Sequence, residues 1–233
     1  MSDVITSHPT LKNTAIALVV VDVVLVALHL LWGSNVVNLD AEGNVTAWWS
    51  QAKLLGTGVL FVHLGLQDAR RRQTPLWQSA FGWVGLLFVG LSLDESASLH
   101  ERLARFLVEQ GVAGDLSRSL LGGDSDKASY MWVVFAAPVA LLVGTAMLAF
   151  VVKHKQELKQ LWVLGFGGVW MFASAMVLEP MGVVGTPKLS AWTAEQVDHY
   201  QRLLVYEESA EMLGADFFLL LGIGWVLLRR RDP

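Results

Sequence analysis

Six long apolar segments divide this chain, and they leave it few folds to choose from. They run from about Asn13 to Trp32, Gln51 to Gln67, Leu76 to His100, Tyr130 to Val152, Leu161 to Glu179 and Leu203 to Leu228. A helix that crosses a bilayer needs about 20 mostly apolar residues. Inside the hydrocarbon, backbone N–H and C=O groups have no water to pair with, so each segment must satisfy its own, which selects helix. The expected fold is all-α: a polytopic membrane bundle of about six transmembrane helices, forming one integral membrane domain over residues 1–233. Composition agrees. The chain is 54% hydrophobic and 16% charged, where a soluble domain carries about 25% charged residues. The first segment lacks a cationic start and holds Asp22 and His29 within its apolar run. It reads as a span and not as a cleavable signal.

Several function classes drop out. Net charge is −4 and there is no basic tail, which argues against a nucleic-acid partner. The chain has no cysteine, which excludes disulfides, thiolate metal sites and iron–sulfur clusters. No nucleotide or haem signature occurs, and neither G-x-S-x-G nor H-E-x-x-H is present.

Basic residues fix an expected orientation. Lys12, Arg70 to Arg72, Lys153, Lys155, Lys159 and Arg229 to Arg231 fall on one side of a six-span topology. The other side carries Asp40, Glu42, Glu109, Asp115, Asp124 and Asp126. The positive-inside rule then makes both termini cytoplasmic, in a cell inner (plasma) membrane. Trp32, Trp48, Trp49, Trp132 and Trp192 are expected at the outer boundary, and Trp77, Trp162 and Trp225 at the inner one. His63 is expected as a packed, hydrogen-bonded residue, and His8, His154 and His199 as surface or interfacial ones. The stretch after Glu101 is expected to continue the third helix outward or to lie along the interface. Thr193-Ala194-Glu195-Gln196 reads as a helix start.

Acidic residues interrupt this apolar pattern. Asp94-Glu95-Ser96-Ala97-Ser98-Leu99-His100-Glu101 closes the third segment, and Glu207-Glu208-Ser209-Ala210-Glu211 opens the sixth. A charge at membrane depth costs at least a few kcal/mol. These acids must therefore pair, protonate, bind cations or line a wet cavity. The topology sets both motifs in the extracytoplasmic leaflet, together with Glu179 at the end of segment five and His29 on segment one. At roughly 100° per residue, Asp94, Ser98 and Glu101 share one helical stripe, and Glu207, Glu211 and Gly214 share another. Glu95, His100 and Glu208 point to the flanks.

Carboxylates with one or two imidazoles suit hard or borderline divalent cations: Mg, Ca or Mn for an oxygen-rich set, Fe or Zn where imidazole joins it. Asp94, Glu101, Glu207 and Glu211 are the foremost candidate ligands, with Glu179, Glu208, His29 and His100 around them. The nearest approach to the Glu-x-x-His of four-helix di-iron proteins is Glu208-x-x-Glu211, a poor match. Asp22 and Asp216 lie deeper, near the middle of their helices, and are candidates for an ion path. No comparable acid continues that path inward on segments three or six. DESASLHE aligns over EESAEMLG with three identities. Inverted repeats are a transporter signature, but both motifs sit at the outer end, so two helices serving one site explain the likeness better than duplication. The glycines of the apolar segments read as helix-packing positions.

The pairing of DE-x4-HE at one helix end with EE-x2-E at a later helix start resembles a set of multi-pass bacterial membrane proteins. That resemblance implies the six-span pattern and no particular activity. The ceramidase and adiponectin-receptor superfamily is a worse fit, because it has seven spans and a three-histidine zinc site with H-x3-H, which this chain lacks. Three readings follow. The first is a carboxylate and histidine cation site, metal being the foremost occupant, in a membrane enzyme acting on a lipid-like substrate with the metal activating water or oxygen. The second is a cation- or proton-coupled transporter. The third is an assembly subunit with structural buried acids.

Overall fold

A computed structural model describes residues 9–32, 35–39, 44–112, 132–158, 161–181 and 191–229. In chain order its elements are α1 Pro9–Trp32, α2 Val45–Arg72, a 3-10 turn Leu76–Gln78, α3 Ala80–Ala97, α4 Leu99–Glu109, α5 Trp132–Lys153, a short α6 Lys155–Leu158, α7 Trp162–Met181 and α8 Ala194–Arg229. Among the described residues there are helices and no strands, as the apolar segments require. The chain is a helical membrane protein: α1, α3, α7 and α8 are each long and apolar enough to cross a bilayer. The described apolar stretch of α5, Ala140–Lys153, is shorter. Asp40, Glu42, Asp115, Asp124, Asp126, His8, Lys159, Arg230 and Arg231, used above for orientation or surface assignment, lie outside the described residues, as does the side chain of Trp132.

Three boundaries differ from the sequence reading, each for a local reason. First, α2 begins at Val45, ahead of the apolar run. Asn44 caps it, its Oδ1 accepting from the amides of Thr46 at 3.0 Å and Ala47 at 3.1 Å, which satisfies two donors that open a helix. Gln73 ends α2 in the left-handed conformation at φ 54°. Second, the expected continuous third helix breaks at Ser98, which takes φ 46° and ψ 45° between α3 and α4. Third, α8 is one helix of 36 residues, joining the start at Thr193 to the sixth apolar segment. A reciprocal capping box holds that start: Gln196 N donates to Thr193 Oγ1 at 3.3 Å and Thr193 N to Gln196 Oε1 at 2.9 Å.

Packing orders the bundle. α2 and α3 are the most intimate antiparallel pair, and α8 lies against α7, α2 and α1. Glycine permits the α2–α3 approach: a Cβ on Gly65 would stand 2.6 Å from the Gly82 backbone nitrogen, and one on Gly58 2.9 Å from that of Val89. At the end of the bundle where α8 terminates, the core is aromatic. Phe81 and Trp225 pack edge to face at 4.5 Å between centroids, and Phe61 and Phe88 stack at 6.4 Å. One expectation is corrected here. His154, expected at a surface or interface, is buried, its ring 4.9 to 5.4 Å from those of Phe150, Phe81 and Trp225. Trp225 is itself buried in this core. Trp32, Trp48 and Trp77 are exposed on the bundle surface, as a lipid or headgroup contact requires. His63 is hydrogen-bonded, to Gln67 at 2.9 Å, but exposed and not packed.

Candidate functional site

A buried Asp–Lys–Asp triad links three helices. Lys53 of α2 is 2% exposed, Asp22 of α1 5% and Asp216 of α8 2%. The Lys53 ammonium has three donors and three directions to spend them. It donates to both Asp22 oxygens at 3.0 Å and to the Met212 carbonyl at 2.9 Å, and Asp216 Oδ1 lies 2.9 Å away as an ion pair. The Trp49 indole, one turn before Lys53, donates to Asp22 Oδ1 at 2.6 Å, and Lys53 lies 5.5 Å from the centre of its ring. Thr57 Oγ1 donates to the Lys53 carbonyl at 2.9 Å and fixes the backbone there.

The two aspartates differ. Asp22 accepts from Trp49 and from Lys53 on both oxygens. Asp216 meets Lys53 at ion-pair distance, yet among the described residues neither of its buried oxygens accepts an aligned hydrogen bond. Buried polar atoms are normally paired, so such an exception calls for an explanation.

A second set of groups gathers around the Ser98 break. Asp94 Oδ1 accepts from the His100 amide at 3.0 Å, and Asp94 Oδ2 lies 2.7 Å from His100 Nδ1. Asp94 thus caps the restarted helix α4 and orients the imidazole. Glu179 and Glu101 lie within electrostatic reach of His100, and Glu211 within reach of Glu179, His100 and Asp94.

Set against the sequence reading, Asp94, His100, Glu179 and Glu211 share one neighbourhood. Glu101 joins it from α4, though not by the single stripe expected, because the helix breaks between Asp94 and Glu101. Glu207 and Glu208 are half-buried on α8 with polar or charged partners of their own. His29 is held elsewhere: its Nδ1 accepts from the Leu39 amide at 3.2 Å. Among the described residues no group of three or more His, Asp or Glu is arranged to hold a metal ion. The sequence reading found Asp22 and Asp216 and missed Lys53 and Trp49. A signal existed: Lys53 is the one lysine or arginine inside the second apolar segment, Gln51 to Gln67, and two mid-helix acids call for a cation.

These features define a polytopic helical membrane protein built around a buried, charged triad that joins three helices. The chain belongs to the family described as a domain of unknown function (DUF8692), which matches residues 13–225. No curated protein and no solved structure matches it.

Proposed function

We propose that this protein is a proton-coupled membrane transporter whose coupling group is Asp216, held against Lys53 and Asp22. The observation that carries the reading is the burial of Lys53 between two aspartates on different helices. Fully ionised, the triad sums to one negative charge, which is costly at membrane depth. Its neutral form carries one proton on a carboxylate. Asp22 has its oxygens committed to Lys53 and Trp49, so Asp216 takes that proton. Glu207, Glu211 and Asp216 descend one helix in steps of roughly 6 to 8 Å at ~1.5 Å per residue, with the Asp94–His100 pair beside them. That series leads from the extracytoplasmic end to the triad. Beyond it, the rings of Phe61, Phe88, Phe218 and Trp225 fill the core and seal the other side.

The reading includes six spans, cytoplasmic termini and a plasma (inner) membrane location. It draws support from one end of the bundle, where Arg71, Arg72 and Arg229 come within electrostatic reach of one another. The test is proton flux into proteoliposomes under an imposed pH gradient, wild type beside Asp216→Asn. Flux in the wild type that disappears in a folded Asp216→Asn protein supports coupling. A folded wild type without flux leaves the triad as a structural network and ends the transport reading.

A second reading rests on the convergence of Asp94, His100, Glu179 and Glu211. Carboxylates with one imidazole would take a divalent cation, with Glu101, Glu207, Glu208 and His29 as further candidates, in a metal-dependent enzyme acting on a lipid-like substrate from the bilayer. Elemental analysis of the purified protein beside Glu207→Gln/Glu211→Gln tests it. Near-stoichiometric metal, lost in the variant, carries this reading. A metal-free wild type after refilling removes it.

A further inference from the structure

At the end of the bundle where α2 and α8 terminate there is a polar cavity of about 400 Å³. His63, Gln67, Arg70, Arg71, Val226 and Arg229 line it. The proton-coupling reading makes no use of it. Two helices supply its charge: Arg70 and Arg71 from the last turn of α2, and Arg229 from the last turn of α8.

Like charges brought together around a cavity repel unless something compensates them. Among the described residues, local acids do little of this. Asp68 and Glu157 are within electrostatic reach of Arg229. Asp68 is already engaged by Arg72 Nε at 2.9 Å and by Ser79 Oγ at 2.9 Å, and Glu157 lies 3.3 Å from His154. Among the described residues no carboxylate forms an ion pair with Arg70 or Arg71. Arg229 is positioned by aromatic faces, its guanidinium 4.7 Å from the centre of Phe81 and 5.9 Å from that of Trp225. Gln67 Nε2 lies 2.9 Å from His63 Nε2, which fixes two more polar groups at the rim. A rigid guanidinium fork matches phosphate oxygens in a bidentate geometry.

We propose that this cavity binds the phosphate of an anionic phospholipid headgroup. Its position selects the lipid as the source of that phosphate. The arginines end apolar helices, where the chain leaves the hydrocarbon for the headgroup layer. Val226 gives the cavity an apolar wall, and Leu66 on α2 is exposed one turn before Arg70. A bound headgroup would neutralise the arginines and leave its acyl chains in the bilayer alongside.

The test uses full-length, delipidated protein in a neutral detergent, titrated with short-chain phosphatidylglycerol, short-chain phosphatidylcholine or inorganic phosphate and followed by native mass spectrometry. Phosphatidylglycerol is expected to bind well ahead of phosphatidylcholine. Arg70→Gln/Arg71→Gln should weaken it about 30-fold, at roughly fivefold for each surface arginine. That variant changes exposed side chains, so circular dichroism should show an unchanged helical fold. Arg229→Lys, which keeps the charge but loses the fork, should weaken binding less. Equal binding of the two lipids, or undiminished binding to a folded double variant, overturns the proposal. Inorganic phosphate binding as tightly as phosphatidylglycerol overturns the lipid source, since free phosphate would then be the ligand.

Discussion

Lys53 and Asp216 meet at 2.9 Å in the interior of the bundle, with side-chain exposures of 1% and 3%. They come from helices far apart in the chain, and the contact turns α1, α2 and α8 into one electrostatic unit through Asp22. Removing one member of a buried ion pair strands the other, which typically costs about 3–5 kcal/mol. Lys53→Met should therefore destabilise the detergent-purified protein by about that amount, read as thermal or denaturant unfolding. Asp22→Asn/Lys53→Met/Asp216→Asn should recover most of the loss, because no buried charge is left alone. A Lys53→Met protein that unfolds with the wild type would show that the triad is not the electrostatic unit described.

The aspartates should not be equivalent. Asp216→Asn leaves a neutral Asp22–Lys53 pair with its hydrogen bonds intact and should cost less than about 1 kcal/mol. Asp22→Asn removes the carboxylate charge that faces Lys53 and replaces one of its two acceptor oxygens by a donor, and should cost about 1.5–3 kcal/mol, the range for hydrogen bonds to charged groups. Comparing the two unfolding midpoints checks this. The reverse order would contradict the hydrogen-bond pattern.

The α2–α3 seam makes a steric prediction. Gly65 faces the Gly82 backbone, which cannot move aside as a flexible side chain can, and Gly90 of α3 has nothing within 4 Å of a built Cβ. Gly65→Leu should cost about 1–3 kcal/mol through overpacking, or prevent assembly. Gly90→Ala should stay within about 0.5 kcal/mol of the wild type. The pair of melting curves gives the answer directly.

Much of this protein is determined by its sequence alone. Apolar length and the exclusion of water require helices. Thr193 and Gln196 announce their capping box by spacing, and the cost of burying charge marks Asp22, Asp94, Glu211 and Asp216 as residues that must find partners. Local chemistry did not reveal which partners. The two motifs share Glu-Ser-Ala, yet the first breaks at Ser98, where the second continues helically through Glu211. Asp94 meets His100 because of that break, which a stripe drawn on an ideal helix does not contain. Lys53 lies among apolar residues and appeared unremarkable until α1 and α8 were packed against α2. His154, expected at a surface or interface, is core because neighbouring helices close over it. Periodicity records which face of a helix is apolar or charged. It carries no information on which helix stands opposite, and partner choice in a membrane follows from close fit, such as the glycine seam of α2 and α3, and from the pairing of opposite charges across helices.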